Sequence, residues 1–134
     1  MATSNIEYLG KLRTKNIHER SGNMLVTDAP VDNHGRGEAF SPTDLMSTSL
    51  ANCIFTIMGI RAEEAGFSLI GATAEMEKTM ASNPRRVAEI KIDFDFSMLK
   101  LTEEQKELLR AVPPVSPVAI SLHPDVKQNI NLKF

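Results

Sequence analysis

The chain has 134 residues, 42% of them apolar and 24% charged, the balance of a globular domain and too short a length for two independent hydrophobic cores. Its 15 Lys and Arg against 17 Asp and Glu give a net charge of -2, which supplies no field for gathering a nucleic-acid backbone, so nucleic acid is not an expected partner. The single Cys53 cannot close an intramolecular disulfide, and the opening Met-Ala-Thr-Ser-Asn lacks the basic and then apolar pattern of a leader; both features predict the cytoplasm.

No repeat, low-complexity tract or linker interrupts the chain, so residues 1–134 read as one domain. Ile6, Tyr8 and the pair Leu25-Val26 lie beside turn-prone Leu12 to Lys15 and Ser21-Gly22-Asn23, which predicts short strands in a meander between Asn5 and Thr27. Asp28 to Ala39 holds Pro30, Asn33, Gly35 and Gly37 with little apolar content and reads as a surface loop. Ser41-Pro42-Thr43-Asp44 is a helix start, with Ser41 as N-cap, Pro42 at the first helical position and a carboxylate in the first turn. The helix is expected to reach about Ala65, where Gly66 suits a left-handed cap. Its apolar residues, Leu45, Met46, Leu50, Ile54, Phe55, Ile57, Met58 and Ile60, cover most of the circumference, so it needs covering on several sides. The charge-free run from Leu45 to Ile60 is shorter than the ~18 apolar residues of a bilayer span and contains Ser47, Thr48, Ser49, Asn52 and Thr56, so no membrane association is expected.

Ile70, Ala72, Ala74 and Met76 alternate with polar residues, and the alternation resumes at Ala88, Ile90, Ile92, Phe94 and Phe96 after Ser82-Asn83-Pro84-Arg85, predicting an antiparallel hairpin with one wet face. Thr102-Glu103-Glu104-Gln105 is a capping-box pattern opening a helix that must end before Pro113-Pro114. Ser116-Pro117 repeats the N-cap logic for a short helix, and Val126, Ile130, Leu132 and Phe134 alternate as a last strand. The fold class is α+β. Strands with one apolar face each and two short helices cannot surround a long helix that is apolar all round, so a homodimer is expected.

Cys53 lies mid-helix, away from a helix N-terminus that would activate a thiol; it reads either as a small buried hydrophobe or as a nucleophile activated by a cation brought from elsewhere. His18, His34 and His123 stand far apart without ligand spacing, so neither a metal nor another cofactor is expected. Gly35 and Gly37 lack the preceding strand and following Lys of a phosphate loop, Arg85-Arg86 reads as a solvated turn, and Glu63-Glu64 and Glu103-Glu104 read as exposed helix faces.

Taken together, Phe40-Ser41-Pro42-Thr43-Asp44-Leu45, Ser49-Leu50-Ala51-Asn52-Cys53, Met58-Gly59-Ile60, Val115-Ser116-Pro117-Val118 and Ser121-Leu122-His123-Pro124 resemble the OsmC/Ohr family over nearly the whole chain. The resemblance implies antiparallel sheets packed around long buried central helices in an intertwined homodimer, and thiol-dependent reduction of organic hydroperoxides. It implies that Cys53 is the peroxidatic thiol. The family's resolving Cys falls at Ser116, which cannot form a disulfide, so an external thiol reductant is expected instead. The family's Glu after the helix Pro falls at Thr43; Asp44 follows it, pointing about 100° away around the helix. The family's Arg near the sulfur is matched best by Arg13, with Arg20 as the alternative. A second function, in which both losses mark a non-catalytic dimer, is binding of a small hydrophobic molecule near Cys53, Phe55 and Met58.

Overall fold

The computed structural model describes residues 1–134 and contains two compact units, Met1–Met46 and Ser47–Phe134. In the first, β1 (Ser4–Gly10), β2 (Arg13–His18) and β3 (Met24–Asp28) form an antiparallel meander in that order. The first turn is tighter than the sequence suggests. Gly10, Lys11 and Leu12 all have positive φ, so the chain reverses before Arg13, which opens β2 instead of sitting in the turn. The Leu12 N–H donates to the Tyr8 hydroxyl across this reversal at 3.3 Å. Ile6, Tyr8, Leu9, Met24 and Leu25 stay exposed on this small sheet.

The loop expected from Asp28 needs one correction: Asp28 is the last residue of β3 and is 1% exposed. The rest of the segment is a loop with a single 3-10 turn at Val31–Asn33. It doubles back so closely that a Cβ on Gly35 would lie 1.8 Å from the Ala29 carbonyl oxygen, which only glycine permits.

Helix α1 runs from Pro42 to Glu64, with Gly66 at φ +81° just beyond it. At 23 residues it is long and apolar enough, by length and composition alone, to cross a bilayer, more than the charge-free run indicates. Its stripe Ser47, Leu50, Ala51, Ile54, Met58 and Ala62 is buried in the manner of a core helix. Within the chain α1 is covered on this one face, whereas Met46 and Ile60 are exposed. The physical reason is that a sheet offers a single apolar face to one side of a helix.

The second sheet has the order β4 (Thr73–Ala81), β5 (Arg86–Asp95) and β6 (Lys127–Lys133). The β4–β5 pair is the expected antiparallel hairpin, but β6 lies parallel to β5, so this sheet is mixed. The long return through α2 (Glu103–Arg110) and α3 (Pro117–Ser121) makes the parallel pairing possible, since a tight turn cannot. Val87, Ile90, Ile92, Phe94 and Phe96 from β5 and its end join the α1 stripe, Leu109 and Val112 in one core. Phe55 meets Phe94 edge-on with ring centres 4.8 Å apart, and Phe96 stacks on Phe134 at 5.4 Å. Arg110 and Lys106 cover the outer side of the Phe134 ring at 5.0 and 5.7 Å. Helix α2 opens with the predicted capping box: Thr102 Oγ1 accepts from the Gln105 N–H, and Gln105 Oε1 accepts from the Thr102 N–H.

Phe94 is the hinge of this aromatic packing, buried to 1% exposure. Phe94→Ala is expected to destabilise the protein by about 3–5 kcal/mol, read from the urea midpoint at unchanged slope.

Candidate functional site

Cys53 is the protein's one thiol and is half-buried in the middle of α1. At 100° per residue it shares a flank with Ser49, Ile57 and Ile60, turned away from the buried stripe. Ile57 is half-buried and Ile60 exposed, so the thiol lies on an apolar flank and not inside the core. Thr56 spends its hydroxyl on the Asn52 carbonyl one turn back, at 2.8 Å.

The start of α1 is a reciprocal cap. The Asp44 N–H donates to Ser41 Oγ and the Ser41 N–H donates to Asp44 Oδ2, each at 3.0 Å. Thr43 Oγ1 lies 3.2 Å from Ser41 Oγ. Thr43 and Asp44 thus belong to the capping turn, about 15 Å of helix rise before Cys53.

Ser116 is fully buried and caps α3, its Oγ accepting from the Ala119 N–H at 3.4 Å. Pro117 follows at the first helical position, and Gln128 Nε2 donates to the Ala119 carbonyl at 2.9 Å, tying α3 to β6. The Ser-Pro sequence therefore has a complete local role in the cap.

Arg13 lies in the first unit, at the head of β2 and directly across from Asp28 of β3. Its Nη1 stands 3.6 Å from Glu38 Oε2, and its buried Nε has no partner. Asp28 Oδ2 accepts from the Glu38 N–H at 3.1 Å, while its buried Oδ1 has no partner. Asp28 and Glu38 were hidden in the sequence by the loop-like composition around them; the pairing of β2 with β3, which puts Asp28 beside Arg13, is not legible without the register. Arg20 is exposed in the turn between β2 and β3. The histidines are scattered: His18 Nδ1 bonds the Ser21 hydroxyl at 2.6 Å, His34 is an exposed left-handed residue, and His123 faces Asp125 at 3.8 Å.

The second unit also has an apolar groove of about 580 Å³, lined by Phe55, Gly59, Ala62, Phe67, Leu69 and Ala72, with Glu63 and Ser68 among its polar members. Phe55 is rotated about 200° from Cys53 around α1, so groove and thiol occupy opposite sides of the helix. Met58 lies in the core between them.

The sequence model for the family described as OsmC-like protein matches residues 35–131. A crystal structure from Psychrobacter arcticus 273-4, of a protein given as an osmotic stress induced and detoxification response protein, is 47% identical. The match covers 98% of this chain and 96% of that one, with a TM-score of 0.93. The organic hydroperoxide resistance protein OsmC of Legionella pneumophila shares the fold at 16% identity and a TM-score of 0.75, over 100% of this chain and 98% of the other. OhrB of Bacillus subtilis, an organic hydroperoxide resistance protein, does so at 15% identity and 0.70, over 98% of each chain. No curated protein matches in sequence. With the family model matched over residues 35–131 and a 47% identical relative covering 98% of its length, the chain belongs to the OsmC-like family.

Because Ser116 is a cap, Ser116→Ala is expected to lower stability by about 1 kcal/mol in urea denaturation while leaving the alkylation rate of Cys53 by iodoacetamide unchanged.

Proposed function

We propose that the protein is a one-cysteine peroxidase for organic hydroperoxides. The observation that carries this reading is Cys53: the only thiol, placed mid-helix in a member of the OsmC-like family, and half-buried outside the core. The thiolate sulfur attacks the terminal peroxide oxygen, the O–O bond breaks as the S–O bond forms, and the alkoxide takes a proton and leaves as an alcohol. The sulfenic acid is then attacked by an external thiol, releasing water and forming a mixed disulfide; a second thiol restores Cys53. A low-molecular-weight or protein thiol fills this role because the chain has no second cysteine. Arg13 is assigned the part of the cation that favours the thiolate, with the cytoplasm as the reducing compartment. Neither a metal nor another cofactor takes part in this scheme.

The scheme is set in a homodimer. Ile6, Tyr8, Leu9 and Met24 in the first unit are exposed on one small sheet, and Ile60 is exposed on α1. A second copy would cover them. The groove beneath Phe55 favours a second reading, binding of a small hydrophobic molecule without chemistry.

One equivalent of cumene hydroperoxide is expected to add a single oxygen to Cys53 in intact-mass spectra, with added thiol converting it to a mixed disulfide and excess peroxide driving it to sulfinic acid. If no oxygen is gained and an apolar fluorescent probe saturates the groove instead, the binding reading replaces the peroxidase. Arg13→Met is expected to raise the apparent pKa of Cys53 and slow its alkylation at neutral pH; slowing by Arg20→Met alone would reassign the cation. In sedimentation the native chain is expected as a dimer and Ile60→Glu, at an exposed position, as a folded monomer; a native monomer would sink the assembly.

A further inference from the structure

The segment after β3 pairs one carboxylate, Glu38, with Arg13 and leaves a second, Asp28, opposite it in the strand register. Asp28 closes β3 directly opposite Arg13, so their side chains leave the sheet on the same face as neighbours. Beyond Asp28 the chain folds tightly back: the Gly35 N–H donates to the Pro30 carbonyl at 3.0 Å and the Gly37 N–H to the Ala29 carbonyl at 3.1 Å. This reversal, which requires glycine at position 35, delivers the Glu38 N–H to Asp28 Oδ2 and the Glu38 carboxylate to Arg13 Nη1. Asp28 is almost wholly buried with Oδ1 unpartnered, and Arg13 Nε is buried and unpartnered as well. A buried carboxylate with a bare oxygen is costly unless a cation stands near it, and Arg13 is the cation across the strand pair.

We propose that Asp28 and Glu38 are positioning residues for Arg13: the buried carboxylate fixes the loop and neutralises the inner side of the guanidinium, while the half-exposed one holds its outer edge. The inference rests on the peroxidase reading in one respect, that Arg13 acts on Cys53; the placement of Arg13 itself does not depend on it.

Asp28→Asn keeps an oxygen for the Glu38 N–H and removes the charge, so it separates positioning from loop structure. It is expected to slow oxidation of Cys53 by cumene hydroperoxide about tenfold in the native background and to have no effect in an Arg13→Met background, because a residue acting through Arg13 is silent once Arg13 is gone. In nitrogen-15 NMR, the Arg13 Nε–H is expected to be protected from solvent exchange in the native protein and to exchange at least tenfold faster in Asp28→Asn. Equal slowing in both backgrounds, or an Nε–H indifferent to Asp28→Asn, would overturn the proposal. If Arg13→Met leaves Cys53 unchanged, the role of Arg13 in the chemistry fails, and the Nε–H exchange still decides its positioning. Should Asp28→Asn not fold, Glu38→Gln at its half-exposed position carries the same two-background comparison, with slowing expected only where Arg13 is present.

Discussion

The packing of one stripe of α1 on the apolar face of β5 is the constraint on which the second unit depends. Leu50, Ile54 and Met58 are fully buried together with Ile90, Ile92 and Phe96. A helix with 3.6 residues per turn that commits one stripe to a sheet has no freedom left in the direction of its other side chains. The rotation of α1 therefore sets Cys53 on the flank with Ile57 and Ile60, and Phe55 on the opposite side, over the aromatic cluster and the groove. The same packing that makes a stable core thus separates the one thiol from the apolar groove.

The first unit works differently, because a three-stranded meander with Ile6, Tyr8 and Met24 exposed has little core of its own. Its buried residues are polar: Thr27, whose hydroxyl bonds that of Thr14 across the strand pair, Asp28 and Ser41. Hydrogen bonds and an ion pair, instead of apolar burial, give the Ala29 to Glu38 loop its shape. Such bonds are directional where apolar contacts are not, which suits a segment that holds a guanidinium in one orientation.

Ser116 has a structural role that is complete within its own turn. Serine before proline caps α3, and its buried hydroxyl is satisfied there. A position that favours serine for helix geometry loses little in folding when a thiol is absent.

Periodicity and capping chemistry made most elements legible from the sequence alone. The helix from Pro42, the 73–95 hairpin, the capping box at Thr102 and Gln105, and the Ser116 cap are local, written within a few neighbouring residues. The thiol, the absence of a second cysteine and the family motifs around them were likewise there to be read. What tertiary structure decided was everything that depends on partners distant along the chain. The parallel pairing of β6 with β5, the single covered face of α1 and the burial of Asp28 beside Arg13 each follow from strand register and from which face meets which. Composition made Asp28 look like the first residue of a loop because a carboxylate is ordinarily solvated; its burial comes with Arg13 opposite it in the strand register and the Glu38 amide folded back onto Oδ2, and neither lies next to it in sequence.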